Sequence, residues 1–126
     1  MKIRIKGDSV RFRLTKTEVE ELCSKGSIEE VTHFKNKSFV YAVKRTTKEG
    51  IYTTFEQDAI TLHVDERLLD GWNHNDKVGF DYVEKIDSET TLSLLLEKDF
   101  VCLDERLEDQ SDNYPNPKME SQYQDQ

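Results

Sequence analysis

The chain of 126 residues has few of the residues that cross-link, kink or anchor a protein. Its two cysteines, Cys23 and Cys102, stand in neither CxxC nor zinc-ligand spacing, which argues against a disulfide framework and a metal site. Its five glycines never form a GxGxxG or GxxxxGK phosphate loop. No run approaches the roughly 18 apolar residues of a membrane span, and the start MKIRIKG lacks the apolar core of a signal peptide. We therefore expect a cytoplasmic protein without membrane contact.

Charge, by contrast, is abundant and unevenly distributed. Charged residues make up 35% of the chain, and the net charge is -8. Residues 1–16 hold six basic side chains against one acidic side chain, a local charge of +5. Residues 99–126 hold eight acidic side chains against two basic ones, a local charge of -6. These two poles predict either a charged partner or an association between the two segments.

The first basic stretch, KIRIKGDSVRFRL, alternates as two strands around a turn at Gly7 and Asp8. This register places Arg4 opposite Arg11, with a second basic pair beside it, Lys2 and Arg13. Like charges that lie directly across an antiparallel pair repel each other, and an anion bound between them would relieve that repulsion. We predict an anion- or partner-binding face made of Lys2, Arg4, Lys6, Arg11 and Arg13. A sheet edge kept unpaired by its charge is the alternative.

The order of strands and helices repeats along the chain. After VRFRL, Thr15 and Glu18 match a capping box that begins a helix over about residues 16–24, which ends before Gly26, and two strands follow. The second half repeats this order with ITLHV, a capping Asp65, the helix ERLLDGW and two more strands. A shift of fifty residues places apolar residues on apolar residues. We predict an α+β, mainly β fold in which two tandem ββαββ units, residues 1–48 and 51–98, form one barrel-like domain over residues 1–103.

Two family resemblances accompany this pattern. The stretch GDSVRFRLTKTEVEEL, followed by a glycine-containing loop and two strands, resembles the AbrB and MazE swapped-hairpin fold. In that family two chains share one barrel, so the resemblance implies an intramolecular barrel and DNA binding here. The chain from MKIRIKGDSVRFRLTK to LLLEKDFVCLDERLEDQSDNYPNP is also similar to a family of small bacterial proteins without an assigned function. That second resemblance implies no catalytic or binding residue.

Residues 104–126 hold both prolines, few apolar residues and no hydrophobic periodicity. This composition predicts an acidic, flexible tail. The tail is one candidate for the anion that meets the basic face, through Asp104, Glu105, Glu108, Asp109 and Asp112. An acidic segment of another protein is the other candidate. The tail lacks the glycine and the distal glutamate of a calcium loop, so we predict no metal there.

We predict a non-enzymatic interaction or regulatory module whose basic hairpin binds an acidic segment, its own or a partner's. The three histidines, His33, His63 and His74, are scattered, and we predict no catalytic residue, cofactor or metal. An AbrB-like or antitoxin-like DNA-binding regulator is the alternative. Two features disfavour nucleic acid: the net charge, and a neutral Thr54–Thr61 pair at the matching place in the second hairpin. An enzyme whose site is assembled from distant residues leaves no local motif and stays open.

Overall fold

The protein is built from two four-stranded sheets that face each other and two short helices. A computed structural model describes residues 1–100 and 112–115. In chain order the elements are β1 (Lys2–Ile5), β2 (Ser9–Leu14), α1 (Lys16–Lys25), β3 (Ser27–His33), β4 (Ser38–Thr46), β5 (Ile51–Glu56), β6 (Ala59–Asp65), α2 (Glu66–Leu69), β7 (Gly79–Lys85) and β8 (Thr91–Lys98). The predicted α+β, mainly β class is confirmed.

Each sheet takes one hairpin from each half of the chain. One sheet has the order β1-β2-β8-β7 and the other β3-β4-β6-β5. The strands within each hairpin are antiparallel, whereas the central pairs β2–β8 and β4–β6 are parallel. If each strand of the first half is exchanged with its counterpart in the second half, β1 with β5 through β4 with β8, the order of one sheet becomes that of the other, read from the opposite edge. Since all four central strands start just after a hairpin turn, the four turns lie at one end of the molecule and the helices at the other.

The sheets do not close into the predicted barrel. Within residues 1–100 and 112–115, no backbone ladder joins one sheet to the other. Where β5 faces β7, the carboxylate of Glu84 instead accepts hydrogen bonds from the backbone N–H (3.0 Å) and the hydroxyl (2.8 Å) of Thr53. A side chain thus satisfies an edge donor that a neighbouring strand would satisfy in a closed barrel.

Helix α1 begins and ends where the sequence predicts. The Thr15 side chain accepts a hydrogen bond from the backbone N–H of Glu18, and the Glu18 carboxylate accepts one from that of Thr15, which completes the capping box. Gly26 ends the helix with a φ of 90°, a left-handed conformation that glycine adopts without steric cost. Val19 and Leu22 are its buried residues and anchor the helix on the core.

Helix α2 is shorter than predicted. Asp65 is its N-cap, as expected, but the helix ends at Leu69 and does not extend to Trp72. The backbone of Asp70 is extended and Gly71 has a φ of 77°, so neither residue continues the helix. Trp72 nevertheless is fully buried, and its ring centroid lies 5.0 Å from that of Phe80.

The core fills the space between the two sheets beneath the helices. Its members come from alternate positions of the strands and from both helical segments. They are Val10, Phe12, Leu14, Val19, Leu22, Ile28, Val43, Ile51, Leu62, Val64, Leu69, Trp72, Phe80, Leu94 and Leu96. Each such side chain contributes about 1.5–3 kcal/mol when it leaves water, which holds the two sheets together across the open edges.

Candidate functional site

The β1–β2 hairpin has the register that its alternation predicts. Lys2 lies opposite Arg13, and Arg4 lies opposite Arg11. Gly7 forms the turn with a φ of 54°, and a backbone hydrogen bond closes it. The alternate residues Val10, Phe12 and Leu14 enter the core, so these basic side chains lie on the opposite, outer face of the sheet.

Two carboxylates from β8 and the residue after it neutralise part of this face. Because β8 runs parallel to β2 with Glu97 beside Arg13, one oxygen of Glu97 lies 2.7 Å from Nε of Arg13 and 3.7 Å from Nε of Arg11. The buried carboxylate of Asp99 lies 3.2 Å from Nζ of Lys2. Glu97 is not predictable as a partner from the sequence, since only the parallel β2–β8 pairing brings it beside Arg13, 84 residues earlier in the chain.

The basic face keeps a surplus of positive charge. Among the residues that the structure describes, two carboxylates pair with these five basic side chains, which leaves a local charge of +3. Arg4 and Lys6 are exposed, and neither has a carboxylate partner within the part of the chain that the structure describes. A cleft of about 320 Å³ opens here, lined by Lys2, Ile3, Arg4, Arg11 and Arg13. Its size and lining suit one or two carboxylate groups approached from solvent.

Of the five tail carboxylates predicted to meet the basic face, only Asp112 falls within the described residues; Asp104, Glu105, Glu108 and Asp109 lie outside them. The carboxylate of Asp112 accepts hydrogen bonds from the backbone N–H (3.2 Å) and the hydroxyl (3.1 Å) of Thr17. Its backbone carbonyl accepts one from the N–H of Lys16. Burial opposes ionisation of Asp112, but hydrogen bonds from Thr15 and Thr17 outweigh it and lower its pKa. Asp112 therefore binds the start of α1 and not the outer face of the hairpin.

The matching face of the β5–β6 hairpin is neutral, as predicted. Thr54 lies opposite Thr61, and the Thr54 hydroxyl is 3.0 Å from Nε2 of His63. The ring of Tyr52 stacks on that of His63 with centroids 4.5 Å apart. Burial, followed by the nearby charge of Lys44, lowers the pKa of His63, which favours the neutral imidazole. The basic character is thus confined to the outer face of one hairpin.

Other reactive side chains form no recognisable site in the described residues. Residues 1–100 and 112–115 contain no group of three or more His, Cys, Asp or Glu side chains that could hold a metal ion. The Cys23 thiol donates to the carbonyl of Leu69 (3.4 Å), and burial raises its pKa, which lowers its reactivity. Cys102 lies outside the described residues. No helix among the described residues is long and apolar enough to cross a membrane.

A second, larger cleft of about 600 Å³ lies between the C-terminal end of α1 and α2. Its charged lining mixes Arg45 and Arg67 with Glu66 and Asp70. Arg45 already binds α1, because its guanidinium donates a hydrogen bond to the carbonyl of Cys23 at 3.0 Å. Arg67 forms an ion pair with the buried carboxylate of Asp65. The cleft therefore has no surplus of one charge that would select a ligand.

Comparison with known proteins places the chain in a family without describing what that family does. Residues 1–118 match the model of a family whose description reads "Family of unknown function (DUF7009)". No curated protein and no solved structure matches the chain. The resemblance of each half to the AbrB and MazE fold stays a prediction.

Proposed function

The chain belongs to DUF7009, a family of unknown function, and we propose that it is a non-enzymatic interaction or regulatory module whose basic hairpin face binds an acidic protein segment. The observation that carries this proposal is the Arg4–Arg11 pair at the 320 Å³ cleft. Arg13 and Lys2 have close carboxylate partners, whereas Arg4 has none among the described residues. A carboxylate entering the cleft would relieve the cross-strand repulsion and gain charge-assisted hydrogen bonds.

A short acidic segment fits this face better than nucleic acid does. The chain carries a net charge of -8, and the positive surplus is confined to one hairpin. A short segment lies within a Debye length of about 10 Å of the basic side chains and stays largely outside the field of the acidic remainder. A DNA duplex extends beyond the hairpin, and its phosphates would meet the acidic remainder.

We also propose that residues 1–48 and 51–98 are copies of one ββαββ unit. Three observations support this: the strand orders interconvert when the halves are exchanged, Thr15 and Asp65 cap equivalent helices, and Thr54–Thr61 stands where the first hairpin has Arg4–Arg11. One copy then holds the basic face and the other does not, which indicates that the charge serves something other than the fold. A solved structure whose halves differ in strand order would contradict the duplication.

The binding proposal is tested with the full chain and a fluorescent decaglutamate peptide. Arg4→Thr plus Arg11→Thr copies the neutral pair of the second hairpin and should weaken peptide binding at least tenfold at low salt. The matched control, Lys25→Thr plus Lys44→Thr, removes the same charge from exposed positions away from the face and should change the affinity less than twofold. Equal weakening by both pairs, or no binding by the unmodified chain, would refute the proposal.

A further variant separates the chain's own acidic segment from an external partner. Asp104→Asn, Glu105→Gln, Glu108→Gln and Asp109→Asn are introduced together in the full chain. If these carboxylates occupy the basic face, their neutralisation frees it, and the decaglutamate affinity of the unmodified chain rises several-fold beyond the increase that the Arg4→Thr plus Arg11→Thr background shows for the same change. An equal increase in both backgrounds assigns the face to another protein.

A further inference from the structure

The four hairpin turns share an end of the molecule, and each carries one large exposed apolar residue. Ile5 is 55% exposed, Phe34 59%, Phe55 71% and Ile86 53%. Ile5 lies opposite the core residue Val10, and Phe55 lies opposite Ile60, which packs against the core. Phe34 and Ile86 occupy the same alternate series as Ile28 and Phe80, one step past the ends of β3 and β7. These four residues, the tip surface, therefore continue the core into solvent.

The tip surface is too apolar to be explained as scattered surface residues. Two phenylalanines and two isoleucines more than half exposed present roughly 400 Å² of apolar area, since an aromatic side chain alone offers about 150–250 Å². A standard protein interface buries about 800 Å² on each partner, with an apolar centre and a polar rim. The tip surface and the charged turns around it match a weak interface of that kind.

The charges of the turns indicate which partner fits. The β3–β4 turn, residues 34–37, carries two lysines, and the β7–β8 turn, residues 86–90, carries two acidic residues. In the β1–β2 turn Lys6 accompanies Asp8. Asp58 of the β5–β6 turn is paired at 3.1 Å with Lys37 of the β3–β4 turn, so Lys35 is the lysine of that turn that remains for a partner. Lys35 and Glu89 have no ion-pair partner within residues 1–100 and 112–115.

A two-fold axis between two copies would bring these opposite charges together. The β3–β4 and β7–β8 turns occupy diagonal corners, because their hairpins lie at opposite sides of the two facing sheets. If a second copy faces the first end to end, with the two-fold axis along the other diagonal, each β3–β4 turn meets the partner's β7–β8 turn. Phe34 of one copy then meets the partner's Ile86, and the remaining tips meet their own equivalents.

We propose that the tip surface is an interface for a second copy of this chain, which makes the protein a weak, end-to-end, two-fold dimer. The charged turns, with three lysines and four acidic residues, are nearly neutral in sum. A surface that bound anionic lipid would instead carry a basic excess. The proposal does not depend on the basic hairpin face, which lies on the outer side of one sheet and shares only Lys6 with the charged turns.

Sedimentation equilibrium of the full chain between about 1 and 300 µM tests the proposal. We expect a concentration-dependent dimer in the micromolar range, a range typical of small interfaces. Phe34→Ser plus Phe55→Ser should raise the dimer Kd at least thirtyfold. The control, Val78→Ser plus Val83→Ser, changes residues that are 45% and 66% exposed but lie outside the tips, and should leave the Kd within twofold.

A charge reversal tests the proposed contact between Lys35 and the partner's Glu89 directly, because it leaves the apolar residues of the interface unchanged. Lys35→Glu alone and Glu89→Lys alone should each raise the dimer Kd at least fivefold, and both changes in one chain should restore it. All the altered residues are exposed, so we expect each variant to fold, and circular dichroism checks that it does. A monomer at every concentration, with or without binding to phosphatidylcholine vesicles, would overturn the proposal. An equal effect of the control pair, or no restoration by the double reversal, would do so as well.

Discussion

The shared carboxylate of Glu97 should stabilise the sheet, because it stands between two arginines that otherwise repel. Replacing it as Glu97→Gln keeps the shape of the side chain but removes the charge that Arg11 and Arg13 both approach. The Glu97 side chain is only 19% exposed and the two arginines are 31–32% exposed, so the pairs are screened less than surface ion pairs.

The expected loss of unfolding free energy is about 1–2 kcal/mol at low ionic strength. This lies between the roughly 0.2–1 kcal/mol of an exposed ion pair and the roughly 1.5–3 kcal/mol of a well-formed hydrogen bond to a charged group. At about 1 M salt the Debye length falls to about 3 Å, and we expect the loss to shrink by at least half. Urea unfolding at both salt concentrations measures it.

Glu29→Gln is the matched control, since Glu29 is an exposed strand residue without an ion-pair partner among the described residues. It should cost less than about 0.5 kcal/mol at either salt concentration, as most surface substitutions do. The reasoning fails if the two variants lose the same stability, or if the effect of Glu97→Gln does not depend on salt. A double-mutant cycle with Arg13→Thr should give a coupling energy of about 1 kcal/mol.

Two further predictions concern the backbone and the second helix. Hydrogen bonds from Arg67 hold the pKa of Asp65 at about 2, below its ordinary 3.8, so this carboxylate stabilises the fold above pH 3.8 and its contribution disappears as the pH falls toward about 2. Urea midpoints measured across that range should therefore depend on pH less steeply in Asp65→Asn than in the unmodified chain or in the exposed control Asp81→Asn. Gly79→Ala would place its Cβ against the carbonyl oxygen of Leu96, a backbone atom that can shift only together with its strand, and we expect a loss of at least about 2–3 kcal/mol. Gly71→Ala meets no atom within 4 Å and should cost only the roughly 1–2 kcal/mol of its left-handed backbone, so an equal loss in the two glycine variants would show that the close contact is relieved by movement.

Local features of this fold are predictable from the sequence because local chemistry determines them. The alternation around Gly7 sets the register that brings Arg4 opposite Arg11, and Thr15 with Glu18 sets the start of α1. The length of α2 was predicted wrongly, because the apolar spacing continues to Trp72 although the backbone leaves the helix at Asp70. In that case a buried position was mistaken for a helical one.

The neighbours of the basic face were not predictable in the same way. Which strand lies beside β2 depends on how the hairpins of the two halves combine. No local pattern in VRFRL of β2 or in TLSLLLEK of β8 indicates that these two strands pair. Glu97 therefore looked like an ordinary solvent-facing residue of its strand. The open edges were missed for a related reason, since the sequence shows no sign that the Glu84 side chain would take the place of a neighbouring strand.

The exchange of hairpins between the halves has a consequence for how the protein is made. Strand β2 must wait for β8, which lies 84 residues later in the chain, before its sheet can form. At a synthesis rate of about 5–20 residues per second, that wait lasts roughly 4–17 seconds on the ribosome. During that interval β2 has emerged without its parallel partner, whereas β4 gains β6 once residue 65 has been made, and Phe12 lacks the core side chains that β7 and β8 supply. The nascent chain is thus most exposed to aggregation and to chaperone binding before residue 98 has emerged, and synonymous codon changes that slow translation between β4 and β8 should lower the yield of folded protein.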